Sequence, residues 1–178
     1  TEIYTLSLHD ALPISGTTTV NNGTLKIRAN GASSTVLHDS SAISFNTNGG
    51  KLEFVGQDST SNVEALGGLS LAAGAGTIQL SPGAGGSASL VFSGFTAPAG
   101  SIKAGLNFKG GTLTSQFTVT GATVGGLLAP QAYYNGDNFA FVGTGAILRA
   151  PDYASDLGFA TSAGGSNVMA STAHWQLT

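Results

Sequence analysis

The sequence predicts an all-β solenoid, a chain of short strands wound into stacked coils. Three observations carry this. Ala42 to Gly56 (A-I-S-F-N-T-N-G-G-K-L-E-F-V-G) superposes on Gly68 to Pro82 (G-L-S-L-A-A-G-A-G-T-I-Q-L-S-P) at an offset of 26, matching Ile43 to Leu69, Phe45 to Leu71, Gly50 to Gly76, Leu52 to Ile78 and Phe54 to Leu80. Apolar residues recur two apart, a spacing that sends both side chains to one face of a strand. Charged residues make up only 8% of the chain and Gly numbers 27, with no window of 3.6-residue periodicity long enough for an amphipathic helix. Strands joined by Gly and Asn corners, repeated at a fixed interval, are the signature of stacked repeats.

Taken in order, the elements begin after an anomalous stretch. Thr1 to Ile14 back-translates codon by codon into the end of a universal short-read sequencing adapter, and the only methionine is Met169. Residues 1–14 are therefore expected to be an in-frame artefact and are set aside from fold reasoning. Ser7, His9 and Asp10, the residue types of a hydrolase triad, fall inside it; adjacency in sequence supplies no triad geometry.

From Ser15 to about Gln116, solenoid coils are expected. Their apolar pairs are Leu25/Ile27, Ile43/Phe45, Leu52/Phe54, Leu69/Leu71, Ile78/Leu80, Leu90/Phe92 and Leu106/Phe108; Lys26, Ser44, Glu53, Ser70, Gln79 and Asn107 should face outward. Burying one such pair contributes about 4 kcal/mol. Ordering the backbone of a whole coil costs more than that, so a coil must stack on its neighbours. Gly23, Gly50, Gly76 and Gly111 are read as equivalent corners, with Ser93 to Ala104 inserted before the last and Ala97-Pro98-Ala99-Gly100 forming a turn that projects from the coil. Residues 117–178 are expected to continue as a β-rich segment in which aromatics concentrate: Tyr133, Tyr134, Phe139, Phe141, Tyr153, Phe159 and Trp175. Within it Asn135-Gly136 is a strong turn dipeptide. Alternation still runs at Trp175 to Thr178, read as a truncation; both ends of an open-ended stack would expose strand edges.

Composition excludes several functions. A net charge of −3 with six Lys and Arg argues against nucleic acid, which needs clustered cations. No segment approaches the roughly 20 apolar residues of a membrane span. Cysteine is absent, which removes disulfides and thiolate sites.

Gly16 to Ile27 (G-T-T-T-V-N-N-G-T-L-K-I) resembles the second half of the autotransporter-associated β-strand repeat. Ala42 to Pro82 follows the looser coil pattern of the same proteins, and Ala122 to Tyr153 looks like the segment that punctuates their repeat blocks. The repeat's usual first half is missing, because the adapter-like residues occupy its place. This resemblance implies a right-handed parallel β-helix and a non-enzymatic adhesive or structural passenger of bacteria, secreted or displayed at the cell surface. Its implied partners are surface glycans or other cells, and any membrane anchor would lie outside this segment. The family has no catalytic residues to carry over.

Two other classes compete: a carbohydrate-binding module using the C-terminal aromatics, and a non-catalytic portion of a β-helix polysaccharide-degrading enzyme. Such enzymes gather carboxylates in one groove. At the repeat offset, however, Asp39 lies over Ala65, Glu53 over Gln79 and Asp58 over Ala84, so no two acids stack. Asp137, Asp152 and Asp156 could bind Ca²⁺ only by converging; Asp137 is read instead as capping its turn and Asp152 as a loop or helix start after Pro151. His38-Asp39-Ser40-Ser41 reads as a loop, and His174 as an isolated packing or surface residue. Gly83 to Leu90 resembles a Ca²⁺-binding nonapeptide but lacks its Asp. Gly143-Thr144-Gly145 lacks the third glycine of a dinucleotide loop. Tyr133, Tyr134 and Trp175 are expected to pack against the sheet. No catalytic, cofactor-binding or metal residue is therefore assigned.

Overall fold

A computed structural model of the chain describes residues 13–97, 104–156, 159–161 and 174–176. It is a parallel β-solenoid of about four coils, each contributing one strand to each of three sheets. Coil one comprises β1 (Thr18–Val20), β2 (Thr24–Arg28) and β3 (Ser33–Ser34); coil two comprises β4 (Ile43–Phe45), β5 (Gly50–Val55) and β6 (Ser61–Leu66). Coil three holds β7 (Leu69–Leu71), β8 (Gly74–Ser81) and β9 (Ser87–Phe92), and coil four β10 (Phe95–Thr96), β11 (Ala104–Lys109) and β12 (Phe117–Val119). The strands stack as β1-β4-β7-β10, β2-β5-β8-β11 and β3-β6-β9-β12, every pairing parallel. No α-helix occurs among the described residues.

The 26-residue offset is the actual register between coils two and three. Ile43 lies against Leu69, Gly50 against Gly76 and Ser61 against Ser87. Side chains alternate as the spacing predicts: Ile43, Phe45, Leu52, Phe54, Leu69, Leu71, Ile78, Leu80, Leu90, Phe92, Leu106 and Phe108 are all buried. They form one continuous core inside the coils. Leu25, in the first coil, is only half-buried.

The glycine column departs from the expected pattern above coil three. Gly76 is paired with Leu106 rather than Gly111. Phe95 sits 26 positions after its partner Leu69, whereas Leu106 sits 30 after Gly76, so the extra residues lie between β10 and β11. Gly111 serves a different end: a Cβ there would stand 2.1 Å from the Tyr134 hydroxyl, so glycine clears the space that ring fills. Gly49 is a corner where glycine is obligatory, with φ of +66° and an added Cβ only 1.9 Å from the Ala75 carbonyl oxygen. The turn expected at Ala97 to Gly100 lies largely outside the described residues, as do Thr1 to Leu12.

β12 (Phe117–Val119) begins just past the expected segment boundary, so coil four closes within the segment that starts at residue 117. Beyond it the winding changes. β13 (Gly126–Leu127) precedes β14 (Ala132–Tyr134), which adds a fifth coil's strand to the central sheet in parallel with β11. The chain then reverses through Asn135 (φ 55°) and Gly136 (φ 91°), and β15 (Asn138–Phe139) runs antiparallel on β14. β16 (Phe141–Val142) and β17 (Leu148–Arg149) form an antiparallel sheet with β13, tied to β12 by a bridge between Thr118 and Ile147. Phe141, Val142 and Leu148 are buried in this layer. Two short strands, β18 (Phe159–Thr161) and β19 (His174–Gln176), pair in parallel.

Candidate functional site

The outer surfaces of the sheets are columns of hydroxyl, amide and a few charged side chains. On the first sheet Thr19, Ser44 and Ser70 stack, with the Ser70 hydroxyl donating to Ser44 Oγ at 3.0 Å. On the central sheet Lys26, Glu53 and Gln79 align, and both Lys26 and Lys51 approach the Glu53 carboxylate at 3.4 Å. The Ser81 hydroxyl also donates to Glu53 at 2.9 Å; that bond, assisted by the two lysines, holds the carboxyl below its ordinary value against the opposing effect of burial. Glu53 is thus an outward residue committed to its neighbours.

The aromatic pair at the hairpin divides. Tyr133 projects outward, 39% exposed, and stacks on Phe139 with ring centroids 5.9 Å apart. Tyr134 turns inward and is 8% exposed, and burial raises its hydroxyl pKa. Packing against the sheet thus holds for Tyr134 and fails for Tyr133, because neighbours on one strand point to opposite faces. The side chain of Trp175 lies outside the described residues.

Of Asp137, Asp152 and Asp156 only the last two come together, in one turn where the Asp152 amide donates to Asp156 Oδ2 at 2.6 Å. Asp156 is bound by the Arg149 guanidinium, with Nη1 2.7 Å from Oδ2, and Arg149 also lies over the Phe141 ring at 4.5 Å. This ion pair lowers the Asp156 pKa and raises that of Arg149. Asp152 accepts from the Ser155 hydroxyl at 2.6 Å and the Ala154 amide at 3.0 Å, closing the turn after Pro151; those bonds lower its pKa. Asp137 sits apart on the hairpin, accepting from Asn138 Nδ2 at 3.0 Å. Among the described residues no three acidic or histidine side chains are placed to hold a metal. His38 and Ser40 meet within an exposed turn, Nδ1 to Oγ 2.8 Å, and the Ser41 amide donates to the His38 carbonyl. A cleft of about 400 Å³ opens between coil four and the antiparallel layer, lined by Ser93, Phe95, Thr120, Thr123 and Leu127. A second of about 230 Å³ borders Arg149 and Asp156.

The residues that sequence reasoning missed are inside the bore. Glu64 is fully buried, its Oε1 accepting from the Leu37 amide at 2.8 Å, while Oε2 and the hydroxyl of Ser34 on the strand beneath have no hydrogen-bond partner among the described residues. Asn62 is buried too, receiving the Gln57 amide at 2.7 Å and donating to the Gly31 carbonyl at 2.7 Å. A signal existed: carrying the 26-residue offset back from the inward residues Ala88, Leu90 and Phe92 lands on Asn62, Glu64 and Leu66.

No family model, curated protein or solved structure matches the chain.

Proposed function

We propose that the chain is a segment of a secreted or surface-displayed passenger similar to autotransporter-associated repeat proteins, serving as a stalk and adhesive surface rather than an enzyme. The observation that carries this reading is the outer surface of the coils. Stacked strands repeat Ser, Thr, Asn and Gln at fixed spacing along the axis, and the Ser44–Ser70 contact is one step of such a ladder. A rod of coils about 4.8 Å apart presents these hydrogen-bonding groups many times over, which turns weak single contacts into avidity. The low charge suits adhesion to neutral glycans and hydroxyl-rich surfaces, an interaction that salt screens little.

Beads coated with the protein test this reading against a glycan array and whole cells. Saturable binding that persists at elevated salt is the expected result. Binding no greater than that of an inert β-rich protein, or depolymerising activity on a uronate polymer, would overturn it.

One specific observation favours a second reading, a carbohydrate-binding surface: Tyr133 is exposed beside Phe139 on the hairpin. Aromatic surfaces of this kind pack against sugar rings. If this reading holds, Tyr133→Ala abolishes glycan binding while the protein stays folded.

A further inference from the structure

We propose that Asn22–Gly23, at the corner between β1 and β2, is a site of spontaneous backbone-mediated deamidation, and that it reacts ahead of the chain's other Asn-Gly pairs. Three more such pairs occur, at Asn30–Gly31, Asn48–Gly49 and Asn135–Gly136. The reaction needs the amide nitrogen of the following residue to reach the side-chain carbonyl carbon, so geometry selects among them.

At Asn22 the reacting groups already meet. The Gly23 amide donates to the residue's own Oδ1 at 2.8 Å. The carbonyl carbon is one C=O bond further on, hence within about 4 Å of the nucleophilic nitrogen, close to a near-attack arrangement. Both residues are exposed, and among the described residues no atom beyond the adjoining ones lies within 4 Å of where a Gly23 Cβ would stand, so base and water have access.

The other pairs are held differently. The Asn30 side-chain oxygen accepts from the Thr35 amide at 3.1 Å, and that of Asn135 from the Gly110 amide at 3.0 Å. The Gly49 amide is buried and donates to the Asn46 carbonyl at 2.7 Å, which removes it as a nucleophile. Asn46 provides an internal control: the Thr47 amide makes the same 2.8 Å contact with its Oδ1, but threonine's branched side chain obstructs the approach.

The step balances without a cofactor. Gly23 N, losing its proton, bonds to Asn22 Cγ; the bond from Cγ to the side-chain nitrogen breaks, and that nitrogen leaves with the proton as ammonia. The resulting succinimide takes up one water, opening at either carbonyl to aspartate or isoaspartate. Both products add a negative charge to the chain, and isoaspartate inserts an extra backbone atom. That atom enters a corner stitched to coil two by the Asn22 amide on the Gly49 carbonyl at 2.7 Å and the Lys51 amide on the Gly23 carbonyl at 2.9 Å. Deamidation thus acts as a slow, irreversible loosening of the first coil.

Peptide mapping by mass spectrometry tests this on the full chain, incubated at mildly alkaline pH in ¹⁸O-water, both folded and in urea. In the folded protein the peptide carrying Asn22 should gain one mass unit plus the isotope increment several-fold faster than those carrying Asn30, Asn48 or Asn135, with Asn46 unchanged. In urea the four Asn-Gly pairs should converge on one rate. Equal rates in the folded protein, or an Asn22 that reacts more slowly folded than unfolded, would overturn the proposal.

Discussion

The Leu37 backbone amide donates to the Glu64 carboxylate at 2.8 Å across two adjacent coils, deep inside the solenoid. β3 ends at Ser34, so the backbone that follows it leaves the ladder and the Leu37 amide needs another acceptor. Glu64 supplies it from the next coil. In coils three and four the same inward column is occupied by Leu90 and Phe117, so the carboxyl is specific to this junction.

Glu64→Gln keeps an acceptor for Leu37 and replaces the buried carboxyl with a neutral amide of nearly the same shape. Its stability should lie within about 1 kcal/mol of the parent. Glu64→Ala leaves a cavity and an unpaired buried amide, costing about 2–4 kcal/mol. Urea denaturation of the two variants separates these effects. A Gln variant as unstable as the Ala variant would contradict the acceptor role.

Gly49→Ala should be among the most damaging single-methyl additions. Its Cβ would collide with the Ala75 carbonyl of the coil above, at a φ that L-residues avoid. A loss of at least about 3 kcal/mol is expected, because backbone must move. Gly94→Ala, where a Cβ meets nothing within 4 Å and φ is not positive, should shift stability by about 0.5 kcal/mol or less. Thermal melts of the pair check the contrast.

Phe92→Ala removes a fully buried ring from the core of coil three. The expected cost is about 3–5 kcal/mol. Because each coil buries its core only against its neighbours, hydrogen exchange should quicken in coils two to four together rather than at Phe92 alone.

The Arg149–Asp156 pair predicts a pH dependence. Arg149 lowers the Asp156 pKa from its ordinary 3.8 in the folded state. A lowered folded value contributes stability that is fully present above the ordinary value and is lost as pH falls through the lowered one. Tm should therefore drop on acidification below the ordinary carboxylate range, and Arg149→Met should flatten that portion of the profile. The same variant should lose about 1 kcal/mol at neutral pH, from a partly exposed ion pair and the contact with Phe141. An unchanged acid limb in Arg149→Met would contradict the assignment.

Much of this architecture is legible in the sequence, for a definite reason. Where inward residues are apolar and two apart, as at Leu52/Phe54 and Ile78/Leu80, hydropathy alone sets the parity, and the equal coil lengths of coils two and three make the offset visible. β6 resists that approach: its inward residues Asn62 and Glu64 are polar, and the more exposed Val63 and Ala65 suggest the opposite face. Only register recovers it. The mismatch at Gly111 has a similar origin, since four extra residues between Phe95 and Leu106 break the interval on which the glycine column was read. Composition does not rank Tyr133 and Tyr134, because register decides: β14 pairs in parallel with β11, setting Tyr134 on buried Phe108 and Tyr133 on Asn107.

Cross-linking measures the stacking of the coils in this register directly, because the chain has no cysteine. Ser44 and Ser70 are adjacent, outward-facing partners on neighbouring coils, with hydroxyls 3.0 Å apart. A Ser44→Cys/Ser70→Cys double variant should oxidise to an intramolecular disulfide with the fold retained, since paired neighbouring strands fall inside the Cα separation of about 4.4–6.8 Å that the bond requires. Ser44→Cys/Ser87→Cys, which places the thiols on different sheets, should stay reduced. A cross-link in the second pair, or none in the first, would contradict the stacked-coil structure.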